Sequence, residues 1–106
     1  MVYSINEIKE RITPVALKYR LPAVYLFGSY ARGEATDESD VDIMVDTTGT
    51  EVRGIFALGG LHEDFSDAIV KPVDLITTNG LEQEDTKRRS PWMVESVNKD
   101  KVRIYG

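Results

Sequence analysis

The sequence LFGSYARGEATDESDVDIMVD, residues 26–46, contains two short apolar segments separated by a turn and an acidic loop. The first segment begins upstream as Ala23–Phe27; it is rich in β-forming residues and lies between a proline and a glycine, which predicts a buried strand. Val41–Val45 predicts a second strand after the loop. The Gly28-Ser29 turn between them is typical of a strand that leads into the N-terminus of a helix.

Helical patterns flank this stretch. Residues 4–20 predict a helix because Ser4 and Glu7 form a capping-box pattern and apolar residues then recur at helical spacing. Residues 50–69 predict another helix, although the Gly59-Gly60 pair disfavours its continuity. The positions expected to be buried in this second helical region are Val52, Ile55, Phe56, Phe65, Ala68 and Ile69.

The remaining patterns predict two strands, Val73–Thr77 and Val102–Tyr105, and two short helices, Leu81–Arg89 and Pro91–Val97. Alternation of helices and strands indicates an α/β (α+β) fold, a small mixed β-sheet with helices packed on it. A length of 106 residues without a linker is that of a single domain, residues 1–106.

The amino-acid composition disfavours some classes of ligand and partner. The net charge of −5 disfavours general nucleic-acid binding. The chain has no cysteine and one histidine, so a metal site must be built mainly from carboxylates, which prefer hard cations such as Mg²⁺. No apolar run approaches the roughly 20 residues of a bilayer span, so no membrane partner is expected. The absence of cysteine fits a cytoplasmic location.

The Gly28-Ser29 turn is a candidate anion site. Gly28 has no Cβ and would let an anion approach the backbone, and a following helix N-terminus favours phosphate. An ordinary turn in which Ser29 serves as the helix N-cap explains the same two residues.

Three aspartates are the candidate catalytic residues. Asp40 and Asp42 are two residues apart on a predicted strand and project from one face, where a divalent cation would offset their repulsion. Two solvated acidic side chains are the alternative interpretation. Asp74 lies inside an apolar strand, and pairing of that strand with the second strand would place it beside the other two. Such a set of carboxylates is a layout for metal-assisted phosphoryl or nucleotidyl transfer.

The full pattern is Gly28-Ser29-x-Ala31-Arg32-Gly33, then Ser39-Asp40-x-Asp42, then Asp74 in a later strand. It resembles the DNA polymerase β nucleotidyltransferase superfamily. The small size and the GSxARG form are similar to the minimal nucleotidyltransferases, the MntA-like antitoxins of prokaryotes. The resemblance implies the polymerase-β-type nucleotidyltransferase fold, and its motif core covers a short part of the chain.

The resemblance also implies roles for individual residues. Asp40 and Asp42 would ligate two Mg²⁺ ions that bridge the nucleoside triphosphate. Asp74 would ligate the catalytic metal and help activate the attacking hydroxyl. Gly28 and Ser29 would hold the β- and γ-phosphates. Arg32 would either contact phosphate or pair with a carboxylate.

The implied activity is Mg²⁺-dependent transfer of AMP from ATP to a tyrosine hydroxyl of a HEPN-domain toxin, with this chain as the antitoxin. Two alternatives are a non-catalytic antitoxin that neutralises a HEPN partner by complex formation, and a nucleotidyltransferase acting on a small-molecule hydroxyl. Outside the motif, His62 is interpreted as a surface histidine in a loop and Lys87–Arg89 as a solvated helix end. Trp92 and Met93 are interpreted as core residues.

Overall fold

The computed structural model describes residues 2–52, 54–78 and 99–106, which contain three helices and four strands. In chain order these are α1 (Ile5–Tyr19), β1 (Ala23–Phe27), α2 (Gly28–Arg32), β2 (Val41–Asp46), α3 (Gly54–Ile69), β3 (Val73–Thr77) and β4 (Val102–Tyr105). The predicted mixed α/β fold is confirmed, and the predicted strand bounds agree to within one residue.

The four strands form one sheet in the order β3-β2-β1-β4. β1 is antiparallel to both of its neighbours, and β2 is parallel to β3. Parallel neighbours need a crossover connection, and α3 provides it. The sheet is mixed because the connection through α2 and residues 33–40 returns β2 antiparallel to β1, whereas the longer crossover through α3 brings β3 parallel to β2.

The two faces of the sheet have different characters, because successive strand residues point to opposite sides. Val41, Ile43 and Val45 of β2 are buried in the main core, together with residues of α1 and α3. On the opposite face Met44 packs with its own set of neighbours, which are Tyr25, Phe27 and Ile76. We call this second side, which also carries the Asp42 side chain, the Asp42 face.

Helix α1 begins where the capping-box pattern predicts. The Ser4 Oγ accepts from the Glu7 backbone N–H at 3.1 Å, and the Ser4 N–H donates to the Glu7 carboxylate at 3.0 Å. The helix is joined to α3 by the Tyr19 hydroxyl, which donates to the Asp64 carboxylate at 2.5 Å, and by the Lys18 ammonium at 3.0 Å from the same oxygen. These two bonds connect residues that are far apart in sequence.

Helix α3 differs from its prediction in three respects, the first being that it begins at Gly54 rather than at residue 50. It runs without a break through Gly59-Gly60, where an added Cβ would meet nothing within 4 Å at Gly59 and only an ordinary van der Waals contact, with the Tyr19 hydroxyl, at Gly60. The expectation that Ile55 and Phe56 are buried is wrong, because they are 81% and 93% exposed. The buried stripe of α3 consists of residues four apart, namely Leu61, Phe65 and Ile69, and it does not extend back through positions 55 and 56.

The predicted helices Leu81–Arg89 and Pro91–Val97 lie outside the described residues, as do the interpretations of Lys87–Arg89, Trp92 and Met93. Among the helices that the structure does describe, none combines the length and the apolar character needed to cross a membrane.

Candidate active site

The strand-to-helix turn at Gly28 has a backbone that favours glycine. Helix α2 begins at Gly28 itself, with a φ of +71°, directly after Phe27 at the end of β1. A Cβ at this position would overlap the carboxylate of Asp42 on the neighbouring strand. Gly28 is thus required both by its left-handed conformation and by the close approach of a carboxylate. Ser29 lies in the first turn of α2 and is not its N-cap, so that interpretation is wrong.

Asp42 and Asp74 lie beside each other on the Asp42 face. They are register partners in the parallel β2–β3 pair, so both carboxylates project from the same side of the sheet. Phe27 is the register partner of Asp42 on the other side, in β1. The residue that precedes the Gly28 turn and the two carboxylates therefore occupy adjacent positions on three strands. The structure supplies the strand pairing on which the position of Asp74 depended.

The pKa of Asp42 is raised from 3.8 to about 6. Partial burial is the main cause, because desolvation disfavours the ionised carboxylate. A hydrogen bond with Asp74 and the negative charges of Asp74 and Asp40 act in the same direction, and the nearby positive charge of Arg32 opposes them. Ionised Asp42 is therefore held in unfavourable surroundings that a cation would relieve.

Asp40 lies just before β2 and is exposed, whereas Asp42 is half-buried within the strand. Within residues 2–52, 54–78 and 99–106, no three His, Cys, Asp or Glu side chains are gathered closely enough to enclose a metal ion. What the described residues provide is a close pair, Asp42 and Asp74, with Asp40 near enough to act on Asp42 electrostatically. Two carboxylates that repel each other at a partly dry position fit a divalent, oxygen-seeking cation.

Arg32 pairs with carboxylates, one of its two predicted roles. Its Nε lies 3.0 Å from Glu34 and its Nη1 lies 2.9 Å from Asp100, which precedes β4. The hydrogen bonds to Asp100 and Glu34 raise the Arg32 pKa above its ordinary value. The guanidinium therefore connects the end of α2 to the start of β4 and is already engaged by two anions.

His62 lies in α3, so its assignment to a loop is wrong. Its Nε2 is 2.6 Å from the carbonyl oxygen of Val73, the residue before Asp74. Because a carbonyl only accepts, Nε2 is the protonated ring nitrogen in this contact. The histidine thus anchors the start of β3, next to the Asp42–Asp74 pair. Sequence periodicity could have placed position 62 on a helix, but its bond to a strand has no local signal.

A second feature of the Asp42 face escaped the sequence analysis. The Tyr25 ring carries the Lys101 ammonium 5.3 Å from its centroid and the Arg103 guanidinium 5.9 Å from it. No pattern within residues 101–103 indicates this contact, because it depends on the pairing of β4 with β1.

The chain is similar to known proteins in both sequence and fold. The model of the nucleotidyltransferase domain family matches residues 7–105. A relative from Methanocaldococcus jannaschii, provisionally named a protein adenylyltransferase, is 32% identical over 105 residues, 95% of this chain and 98% of the relative.

Two solved structures have the same fold. One, described provisionally as a minimal nucleotidyltransferase, has a TM-score of 0.68 and 27% identity, and the match covers 94% of this chain and 95% of that one. The other is the Shewanella oneidensis complex of a tri-AMPylated HEPN toxin with an MNT antitoxin, with a TM-score of 0.66 and 20% identity; the match covers 96% of this chain and 72% of that one.

The family match spans nearly the whole chain, and it includes the Gly28 turn, the Asp42–Asp74 pair and all four strands. The chain belongs to the nucleotidyltransferase domain family and is a nucleotidyltransferase.

Proposed function

We propose that this chain transfers AMP from ATP to a tyrosine hydroxyl of a HEPN-type partner protein and so acts as the antitoxin of a toxin–antitoxin pair. The observation that carries the proposal is the Asp42–Asp74 carboxylate pair beside the Gly28 turn. Paired carboxylates beside a strand-to-helix turn are an arrangement suited to metal-assisted nucleotidyl transfer.

Asp40, Asp42 and Asp74 would hold Mg²⁺, two ions in the family's arrangement. When bound, Mg²⁺ supplies positive charge that stabilises the negative charge developing on the phosphates. The raised pKa of Asp42 is consistent with this assignment: burial is its main cause, the Asp74 carboxylate adds to it, and a nearby cation would offset the cost of the ionised form.

The chain's own residues would then position the reactants. Gly28 and Ser29 would contact the β- and γ-phosphates at the start of α2, where backbone N–H groups favour an anion. Asp74, more exposed than Asp42, would face the acceptor and take its proton. The acceptor oxygen would bond to the α-phosphorus as the bond from that phosphorus to the pyrophosphate oxygen breaks, and pyrophosphate would leave.

The choice of acceptor is supported by the compared proteins. The M. jannaschii relative is provisionally named a protein adenylyltransferase, and the S. oneidensis complex contains an AMPylated HEPN toxin. The net charge of −5 would suit a basic protein partner better than a nucleic acid.

The test is label transfer from α-³²P-ATP with Mg²⁺, with and without a HEPN protein encoded beside this chain, resolved on a denaturing gel. We expect label on the partner, loss of that label in Asp40→Ala/Asp42→Ala, and retention in Asp67→Ala, which removes an exposed carboxylate of α3. Mapping the labelled residue tests whether the acceptor is a tyrosine, and removing Mg²⁺ with EDTA tests whether transfer depends on the metal.

Three results would contradict the proposal in different ways. Full transfer by Asp42→Ala would show that the mechanism is wrong. A stable complex without label, still formed by the double variant, would favour neutralisation by binding alone. Label on a small-molecule hydroxyl in the absence of the partner would favour the third hypothesis.

A further inference from the structure

Two positively charged side chains lie on the Asp42 face beside the site, although neither belongs to the sequence motif. Lys101 and Arg103 both contact the ring of Tyr25, at 5.3 and 5.9 Å from its centroid, and both are exposed. We call these three residues the Tyr25 cluster. Tyr25 packs against Met44, and this packing fixes the cluster on the same side of the sheet as Asp42.

The strand register places the cluster next to the phosphate turn. Leu26 pairs with Val102 in the antiparallel β1–β4 ladder. Lys101, the residue before Val102, therefore lies opposite Phe27, the residue after Leu26. Phe27 immediately precedes Gly28 and is the register partner of Asp42. The Lys101 backbone therefore lies across β1 from the carboxylates, on the side of the sheet that leads into α2.

A contact at α2 confirms this placement. Asp100, the neighbour of Lys101, accepts from the Arg32 guanidinium at the C-terminal end of α2. The chain before β4 thus runs alongside the short helix that begins at Gly28. Lysine has a flexible four-carbon stem, so the Lys101 ammonium is able to leave the Tyr25 ring and turn toward Gly28 and Ser29.

The negative charges of the site favour a nearby cationic side chain such as Lys101. Asp40, Asp42 and Asp74 are acidic, and a triphosphate adds further negative charge. Arg32, the motif's cation, is engaged by Glu34 and Asp100. By contrast, Lys101 and Arg103 have no carboxylate partner within the described residues, and an aromatic ring holds them in place without neutralising their charge.

From this we infer that Lys101, with Arg103 behind it, is a polyphosphate-binding residue of the site. It contacts the β- and γ-phosphates of the nucleoside triphosphate held at Gly28 and Ser29, and it contacts the pyrophosphate that leaves. This inference rests on the proposed function, since it assigns a ligand contact within the same site. The Tyr25 ring keeps the ammonium on the correct face before the nucleotide arrives, which lowers the ordering cost of binding.

The experiment compares Lys101→Met with Lys99→Met in the full chain. Methionine keeps an unbranched stem over Tyr25 and removes only the charge, and Lys99 is an exposed lysine two residues away. Affinities for ATP, pyrophosphate and AMP are measured by titration calorimetry in Mg²⁺ buffer. We expect Lys101→Met to weaken ATP and pyrophosphate binding about five- to tenfold, as loss of one charge-assisted contact does. AMP binding should be unchanged, and Lys99→Met should resemble the parent protein.

A conservative variant distinguishes loss of the positive charge from a structural effect of the substitution. Lys101→Arg keeps the positive charge and should retain ATP affinity within about twofold. ATP affinity of the parent protein should also fall more steeply with KCl than that of Lys101→Met.

The outcomes separate the inference from the proposed function. If the parent protein binds ATP and transfers AMP but Lys101→Met binds ATP equally well, the inference alone is overturned. Equal weakening of ATP and AMP overturns it as well, because the contact would then not be with the terminal phosphates. A rise in the acceptor KM with unchanged ATP affinity would assign the cluster to partner docking instead. Failure of the parent protein to bind ATP overturns both.

Discussion

Replacing Asp42 by asparagine should abolish transfer and at the same time make the protein more stable at neutral pH. The side chain is half-buried beside Asp74, and its pKa rises from 3.8 to about 6 on folding. The folded state therefore binds this proton more tightly than the unfolded state does. The contribution of this proton to the free energy of unfolding is fully present below the unfolded-state pKa and is lost as the pH rises from about 4 through about 6.

The magnitude follows from the size of the shift. Each pH unit of difference is worth about 1.4 kcal/mol, so a shift of about two units gives about 3 kcal/mol as an upper value. Asp42 is partly accessible to solvent, and screening reduces the figure. We expect Asp42→Asn to gain about 1–3 kcal/mol over the parent protein at pH 7 and almost nothing at pH 4.

The assay is urea unfolding of both proteins at half-unit steps from pH 4 to pH 8, without divalent cations. The exposed carboxylate variant Asp67→Asn is the control and should follow the parent protein throughout. Added Mg²⁺ should stabilise the parent protein at pH 7 and have little effect on Asp42→Asn. The reasoning is refuted if the stability difference between Asp42→Asn and the parent protein does not change with pH, or if the parent protein is the more stable at pH 7.

Two further predictions concern the turn and the helix contact. Gly28→Ala and Gly33→Ala both place a side chain at a φ near +70°, but only the first also overlaps Asp42, so only Gly28→Ala should lose transfer activity. Equal activity of the two variants in the label-transfer assay would contradict this. Tyr19→Phe removes a hydrogen bond to the Asp64 carboxylate and should cost about 1–3 kcal/mol at pH 7 in urea unfolding. Tyr19 and Lys18 lower the Asp64 pKa, so the cost should shrink as the pH falls below about 4, and a constant cost would count against the assignment.

Local signals in the sequence account for most of the fold. The capping box at Ser4, the apolar runs of β1 to β4 and the glycine after Phe27 are patterns of neighbouring residues, and the structure agrees with each of them. The misplaced residues, Ile55 and Phe56, lie where a helix exists but its buried stripe does not reach. A hydropathy pattern identifies an apolar residue, whereas burial depends on what packs against it.

The candidate site divides in the same way. The candidate residues Gly28, Ser29, Asp40 and Asp42 could be predicted from the amino-acid sequence, because they lie within one short motif. The positions of Asp74 beside Asp42 and of Lys101 over Tyr25 could be learned only from the fold. These contacts are set by the register of strands that are distant along the chain, and register depends on the packing of the whole sheet rather than on any local pattern.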